Sequence, residues 1–249
     1  MKSVNTMSKR AVALAVAHML VPTASQSAII NVDATCSLRE AIISANNDSQ
    51  ENGCEQGSDS DVINLVANSL IELTAIDAEG GSDSGTPIIT SAITINGHNA
   101  TLARQNSAPN MRLLQVVTGG SLTVDSLTLT GGKDKSGAAI FADNANTLVL
   151  TNSVITGNNA SSGVGGGITS ASTNTYIKDS QIYNNSGRVA TGINVRDAHL
   201  DLINSDVSGN ANTQSKSGIY IDVGSLTMSD SSVNSNIGST RSGIVMYAP

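Results

Sequence analysis

The chain has 249 residues and an unusual composition, with 23 glycines, four tyrosines, one phenylalanine and no tryptophan. Its apolar content of 39% is too high for a chain that is disordered throughout. The formal net charge is −7, and it becomes −10 once the three basic residues of a predicted leader are removed. Such an acidic chain is not expected to bind nucleic acid or an anionic membrane surface.

Residues 1–28 have the features of a secretory signal. A pair of basic residues precedes an apolar run from Ala11 to Val21, which is too short to span a bilayer. Ser25-Gln26-Ser27 has small residues at the spacing of a cleavage site, so we expect cleavage near Ser27 or Ala28. This predicts an exported protein that reaches the periplasm, the cell surface or the medium, without membrane insertion after cleavage. A retained interfacial anchor is the alternative.

A short helix is predicted after the leader. Ser37 is a good N-cap residue and Glu40 follows three positions later, which is the pattern of a capping box. Apolar residues then recur at helical spacing on one face, at Leu38, Ala41, Ile42 and Ala45. This face needs something to lie on, and the segment 29–60 is therefore predicted to be a capping helix with a disulfide loop.

The two cysteines, Cys36 and Cys54, flank this helix. In an exported protein the default expectation is a disulfide between them, which would stabilise the fold by about 3 kcal/mol. Two free thiols or a metal-binding pair are the alternatives, and the further ligands of a zinc site are missing.

Residues 61–121 contain short apolar segments separated by turn residues. They predict two or three irregular coils of a repeating fold. The stretch Asp77–Gly85, rich in acidic residues and glycine, is expected to be a protruding loop.

From residue 122 to 249 the sequence repeats with a period of about 26 residues. A serine column has intervals of 27, 27, 25 and 26 residues, at Ser126, Ser153, Ser180, Ser205 and Ser231. An asparagine follows the last four serines by five positions, at Asn158, Asn185, Asn210 and Asn236. A glycine column falls at Gly167, Gly192, Gly218 and Gly243. Three columns with one period indicate one structural unit that is repeated.

The repeat predicts an all-β chain wound into a parallel β-helix. A unit of three short strands cannot bury its own apolar side, but stacked units about 4.8 Å apart form a continuous aliphatic core. Asparagine suits the corners, because it tolerates left-handed backbone and its amide can bond along the stack. A leucine-rich repeat would need its own leucine and asparagine signature, and a sandwich would not need a constant period. The predicted helix would shield the first coil, whose strand edges would otherwise be open.

The last letters, "SGIVMYAP", belong to the first strand of another copy. We therefore expect either a missing C-terminal region or end-to-end self-association that covers this edge.

The strings "CSLREAI", "DVINL" and "ITINGHNATLAR" resemble the CSLREA-domain family of exported bacterial proteins. The resemblance covers residues 33–132 by motif and the remainder by repeat character. It implies a right-handed parallel β-helix in a secreted or surface protein, often with adhesive repeats. It implies no catalytic residues, because that family offers no catalytic motif to carry over.

No catalytic motif is evident in the sequence. The strings typical of β-helical polygalacturonases and pectate lyases are missing, and no Ser/His/Asp set is evident. His98 and His199 are each expected to be solvated, and the glycine run 163–167 is expected to be a corner. No cofactor is predicted, although calcium could bind the oxygen-rich loops at Ser58–Asp61 or around Asp77, Glu79 and Asp83.

One exposed face is the best candidate for binding. Alternation along the strand that follows the glycine column sends every second residue outward. One predicted exposed column contains Phe141, Thr169, Asn194, Tyr220 and Val245. The column beside it contains Asp143, Ala171, Arg196, Asp222 and Tyr247, with Arg196 and Asp222 close enough to pair. Of these, the predicted binding residues are Phe141, Asn194, Arg196, Tyr220, Asp222 and Tyr247.

Aromatic rings beside polar groups suit an extended glycan or peptide. We therefore expect a non-catalytic surface protein that contacts an extracellular glycan or a surface protein. The alternatives are side-chain stacking that only stabilises the face, and a polysaccharide lyase or glycoside hydrolase with an unrecognised site.

Overall fold

The computed structural model describes residues 27–79, 81, 83–212 and 218–247. The predicted leader lies outside these residues except for Ser27 and Ala28. In the described part of the chain, no helix is both long and apolar enough to cross a bilayer.

The described residues form one helix and a series of short strands. In chain order the elements are β1 (Ile29–Asn31), α1 (Leu38–Asn47), β2 (Ser60–Asn64), β3 (Leu70–Leu73), β4 (Ala92–Arg104), β5 (Leu114–Val117), β6 (Ser121–Thr130), β7 (Ile140–Asp143), β8 (Thr147–Thr151), β9 (Val154–Thr156), β10 (Asn159–Val164), β11 (Ile168–Ala171), β12 (Asn174–Lys178), β13 (Gln181–Tyr183), β14 (Ser186–Val189), β15 (Ile193–Ile203), β16 (Asp206–Ser208), β17 (Ile219–Ser229), β18 (Ser232–Asn234) and β19 (Ile244–Tyr247).

The strands stack in three parallel lines. Line A contains β5, β7, β11, the first parts of β15 and β17, and β19. Line B contains β1, β2, the first parts of β4 and β6, β8, β12, and the second parts of β15 and β17. Line C contains β3, the second parts of β4 and β6, β9, β13, β16 and β18. These three lines confirm the predicted parallel β-helix.

The core consists of aliphatic side chains that repeat from coil to coil. In line A the inward positions are aligned, at Ile140, Ile168, Ile193, Ile219 and Ile244. The first four are 0% exposed. At the last described coil, Ile244 and Met246 occupy inward positions yet are 40% and 46% exposed, because no further described coil covers them.

The serine column differs from the predicted alignment at its first member. Thr128 pairs with Val154, so Leu127 rather than Ser126 lies opposite Ser153. The Leu127 N–H accordingly donates to Ser153 Oγ at 3.2 Å. Ser126 instead takes the left-handed corner with φ 52°, as Asn152 does in the next coil with φ 49°. The coil that contains β6, the first of the regular repeats, therefore has Leu127 instead of a serine in this column.

The aligned asparagines show both expected features, left-handed backbone and side-chain bonding along the stack. One set of positive φ values falls on the residues just before the serines, at Asn152, Asp179, Asn204 and Asp230. In this left-handed column, the amides of Asn152 and Asn204 donate to Asp125 and Asp179 of the preceding coil at 2.8 and 2.6 Å. Another set of positive φ values falls just before the second column of asparagines, at Gly157, Asn184, Gly209 and Ser235. The second column, which we call the asparagine ladder, contains Asn158, Asn185, Asn210 and Asn236. In this ladder each of the first three side-chain amides donates to the Oδ1 of the next at 2.9–3.0 Å.

The helix α1 covers the first coil as predicted. The Ser37 side chain accepts from the Glu40 N–H, and the Glu40 carboxylate accepts from the Ser37 N–H, which completes the capping box. The predicted apolar face is buried, and Cys36 and Cys54 form a disulfide with their Cα atoms 4.7 Å apart. The segment 29–60 also contributes β1 to line B, which the sequence did not predict.

The acidic stretch 77–85, expected to protrude, is held against the protein near both of its ends. Asp77 is only 8% exposed and pairs with Arg39 at 2.7 Å, while Asp83 pairs with Arg112 at 3.2 Å. These arginines occupy carboxylates that we considered as calcium ligands. Within the described ranges, no group of three or more His, Cys, Asp or Glu side chains could hold a metal ion.

Candidate functional site

The two side-chain columns predicted on line A have the expected register. Phe141 lies beside Thr169, which lies beside Asn194, and the column continues through Tyr220 to Val245. In the second column, Asp143, Ala171, Arg196, Asp222 and Tyr247 are aligned in the same way. All six predicted binding residues therefore lie on one side of the β-helix.

The prediction that these columns are exposed is wrong for several members. Thr169 is 4% exposed and Asn194 is 7% exposed. Ala171 and Val245 are also buried. Phe141, Tyr220 and Asp222 are half-buried, whereas Arg196 and Tyr247 are exposed. Among the residues proposed for binding, Asn194 is thus the one whose predicted exposure must be corrected.

Loops between the asparagine ladder and line A explain part of this burial. Strands β10 and β14 pair outside the three lines, and we call these loops, residues 133–138, 159–165 and 186–191, the wall. The Gly137 N–H donates to the Val164 carbonyl, and the Gly165 N–H donates to the Val189 carbonyl, both at 3.1 Å. Thr169 Oγ1 donates to the same Val164 carbonyl at 3.1 Å, so the wall is attached to line A.

The wall and line A enclose a cavity of about 300 Å³, which we call the groove. Line A contributes Phe141, Thr169, Ala171, Asn194 and Arg196 to its lining. Lys135, Ser136 and Val164 contribute from the wall, and Asp83 and Arg112 complete the lining. The groove therefore combines an aromatic ring and apolar surface with polar and charged groups.

Arg112 is the buried charge of this site and is 6% exposed. Its guanidinium bonds to Asp134, to Asp83 at 3.2 Å and to Gln115 Oε1 at 2.6 Å. The guanidinium carbon also lies 4.7 Å from the centre of the Phe141 ring, a cation–π contact. The hydrogen bonds hold the Arg112 guanidinium over the ring of Phe141, which is itself a residue of line A.

Asp134 is a buried carboxyl whose pKa is raised. Burial is the main cause, and the nearby Asp83 carboxylate adds to it. Arg112 opposes both effects but does not cancel them. Arg112 and its two carboxylates together carry a formal charge of −1, whereas Lys135 and Arg196 present exposed positive groups along the same groove.

The predicted pairing of Arg196 with Asp222 is not found. The two residues are neighbours in adjacent coils, but Arg196 Nε lies 3.9 Å from the Asp197 carboxylate. Further along the column, the Tyr220 and Tyr247 rings are 5.8 Å apart in a T-shaped contact. Arg241 stacks on Tyr247 at 5.8 Å. The face thus consists of the groove and, beyond Asn194, an aromatic patch of Tyr220 and Tyr247.

The structure brings together one Ser, His and Asp set that the sequence did not show. His199 Nδ1 lies 2.6 Å from Ser225 Oγ, and His199 Nε2 lies 2.9 Å from Asp201 Oδ1. His199 and Ser225 are one coil apart in line B, so the 26-residue period was the signal that could have found them. The set does not line the groove, and we interpret it as cross-coil bonding. His98 is separate, with Nε2 3.4 Å from Asn64 Oδ1.

A second concavity, of about 460 Å³, lies at the corner of the serine column. It is lined by three consecutive corners, including the carboxyls of Asp179, Asp206 and Asp230. Hydrogen bonds from neighbouring side chains already occupy all three of these carboxyls, and Asp230 accepts from Ser229 Oγ at 3.0 Å. Asn204 Nδ2 donates to Asp179 at 2.6 Å, and Ser208 and Ser232 donate to Asp206. This corner is therefore better explained as a network within the stack than as a ligand site.

Comparison with known proteins supports the fold. The family model described as the right handed beta helix region matches residues 113–248, more than half of the chain. No curated protein matches the sequence, and no solved structure matches it. The family match leaves out most of residues 33–132, so the resemblance to the CSLREA-domain family stays a prediction.

Proposed function

Because the chain belongs to the right-handed β-helix family, we propose that it is an exported surface protein that binds an extended glycan along line A without cleaving it. The observation that carries this proposal is the groove, whose lining includes both the Phe141 ring and the exposed cations Lys135 and Arg196. Phe141 and Arg196 lie on stacked parallel strands of line A, which hold their side chains at fixed spacings. A rigid, mixed polar and aromatic groove is typical of carbohydrate-binding surfaces.

Each part of the groove has a separate task in this proposal. The Phe141 ring, held by Arg112, packs against the C–H faces of a sugar. Lys135 and Arg196 bind carboxylate or sulfate groups of the glycan. The aromatic patch of Tyr220 and Tyr247 extends the same face, so that a longer chain gains further contacts.

The state of the carboxyls supports binding without cleavage. Glycosidases use two carboxyl groups that flank the scissile bond. Here Asp83 and Asp134 both bond to the same Arg112 guanidinium. The two carboxyls therefore do not face each other across a space for a substrate. This favours a structural role for Asp83 and Asp134.

Substitution in the groove tests the proposal. We expect Arg196→Ala and Lys135→Ala each to weaken binding to an acidic glycan by about tenfold, since each removes a charge-assisted bond. Binding is measured first on a glycan array and then by titration calorimetry. Lys178→Ala is the matched control, because Lys178 is an exposed cation on line B. Glycan binding that both groove variants leave unchanged would show that the ligand lies elsewhere.

An enzyme that degrades polysaccharides is the second candidate. The raised pKa of Asp134 favours it, because a protonated carboxyl can act as a general acid. The assay is the release of reducing ends or unsaturated uronates from a polysaccharide panel, with and without calcium. Product release by the wild type and its loss in Asp134→Asn would favour catalysis over simple binding.

A further inference from the structure

Asp61 is a buried carboxylate, and no positive group of the described residues acts on it. It lies in β2 and is 2% exposed. Its Oδ1 accepts from the Ser58 N–H at 2.9 Å, whereas Oδ2 has no hydrogen-bond partner in the part of the chain that the structure describes. The charged groups that act on it, Asp48 and Asp59, are both acidic. A charge held in this way is unfavourable, and burial raises the pKa of Asp61.

The Ala28 nitrogen lies beside this carboxylate. Ala28 precedes β1, and its carbonyl accepts from the Val62 N–H at 2.9 Å, which fixes Ala28 next to β2. The Ala28 N–H approaches the Asp61 carboxyl closely enough to lower its pKa, yet Oδ2 stays without a partner. An amide has one N–H in one direction and carries no charge, so it cannot neutralise the carboxylate.

The sequence predicts cleavage beside this nitrogen. Ser25 and Ser27 are the small residues of the predicted cleavage site, and Ser27 itself is exposed. We propose that the chain is cleaved between Ser27 and Ala28 and that the new α-ammonium group of Ala28 forms a buried ion pair with Asp61. This inference rests on the export part of the proposed function. An export peptidase hydrolyses the peptide bond with one water, which gives a Ser27 carboxylate and an Ala28 amine that takes up a proton.

The ion pair explains why the fold holds a carboxylate at this place. The ammonium uses the same nitrogen atom, but it has three N–H donors and a full charge. In the proposed pair one of these donors bonds to Oδ2, and its charge offsets the cost of a buried carboxylate that would otherwise be uncompensated. Processing then stabilises the pairing of β1 with β2, where the first coil begins.

Four purified chains test the ion pair directly. They begin at Ala28 or at Ser27, and each is made with Asp61 or with Asp61→Asn. We expect one extra N-terminal residue to raise the unfolding equilibrium constant on the order of tenfold with Asp61 and by less than about twofold with Asp61→Asn. Asp59→Asn is the matched control, since Asp59 is exposed, and it keeps the tenfold sensitivity. Equal sensitivity in both backgrounds would overturn the proposal.

The pH dependence gives a second readout. An α-amine has an ordinary pKa of about 8, and the carboxylate raises it in the folded chain. The stabilisation is therefore complete below the ordinary value and is lost as the pH rises through the raised one. An Ala28 amine that titrates at its ordinary value in the folded wild type would also overturn the ion pair, even if Asp61→Asn fails to fold.

N-terminal sequencing of the protein exported by a bacterial host tests the cleavage position. We expect the sequence to begin Ala28-Ile29-Ile30. Cleavage at any other bond overturns this inference alone. A chain that is exported but remains uncleaved also overturns this inference alone, whereas a chain that is found only in the cytoplasm contradicts export, and with it both this inference and the proposed function.

Discussion

The asparagine ladder connects coils through buried side-chain amides. Asn185 is 1% exposed, and its Oδ1 accepts from both the backbone N–H and the side-chain amide of Asn158 at 3.0 Å. Its own amide donates to the Ile155 carbonyl at 2.9 Å and to Asn210 Oδ1 at 3.0 Å. One side chain thus satisfies polar groups in both neighbouring coils and links three successive coils. No aliphatic residue could replace it, because each of these partners would lose a hydrogen bond in the dry interior.

Substitution of Asn185 measures the strength of this ladder. We expect Asn185→Ala to lower the free energy of unfolding by about 2–4 kcal/mol, because several buried groups lose their partners together. Urea denaturation followed by circular dichroism gives the value. Asn106→Ala is the control, since Asn106 is exposed in a loop, and it should change stability by less than about 0.5 kcal/mol. A loss as small in Asn185→Ala would mean that water replaces the lost bonds.

Single residues also show where sequence reasoning stops. The columns on line A could be predicted, because strand alternation and a constant period determine which residues lie side by side. The burial of Asn194 could not, since it depends on the environment around the column. The sequence also did not show that Ser126 lies one position before the serine column. A serine can occupy the left-handed corner where the later coils have Asn or Asp, so the letters alone gave the wrong alignment.

The helix α1 is the element that best matches its prediction, because its signals are local. The backbone N–H of Ser37 and then its side chain lower the pKa of Glu40 by donating hydrogen bonds to the carboxylate. This depressed pKa gives stability that is present above the ordinary value of Glu and is lost as the pH falls through the folded value. The capping box is therefore expected to work fully at neutral pH and only in part in acid.

A substitution at the N-cap tests this element. We expect Ser37→Ala to cost about 1 kcal/mol at pH 7, with a smaller loss near pH 3, where the protonated Glu40 no longer favours the bond from Ser37. Urea unfolding at the two pH values measures the difference. Ser49→Ala, at an exposed serine beyond the end of α1, should be neutral at both. A loss that does not depend on pH would assign the whole effect to the bond from the Glu40 N–H to Ser37 Oγ.

The wall is the element that the sequence concealed. Its segments vary in length from coil to coil and show no apolar alternation, so residues 163–167 could be predicted only as a glycine-rich corner. The structure shows why glycine is needed there: a Cβ on Gly163 would lie 1.8 Å from the Lys135 carbonyl, and one on Gly166 would lie 2.2 Å from the Ser186 carbonyl. Close packing between loops of successive coils creates the wall, and hence the groove, and such contacts between distant residues leave no periodic signal.

The whole molecule is a stack in which each coil contacts mainly its two neighbours. In the regular repeats each complete coil contributes a strand, or part of one, to each of the three lines, and each strand pairs with the equivalent strand of a neighbouring coil. If one whole coil is removed, the coils on either side of it therefore still present equivalent positions to each other. Residues 153–179 form one such coil, from the serine column to the next left-handed corner. Without them Asn152 is followed by Ser180, and Thr128 of β6 comes to lie opposite Gln181 of β13 in place of Val154.

Deletion of residues 153–179 is therefore expected to give a folded protein. Its circular dichroism should remain that of a β-rich chain and its unfolding should remain cooperative, with a smaller urea m-value because less surface is exposed on unfolding. Deletion of residues 153–165 is the control, since it removes only part of a coil and shifts every later strand away from its line. An unfolded product from the whole-coil deletion, or a folded product from the partial one, would show that the coils are not equivalent units.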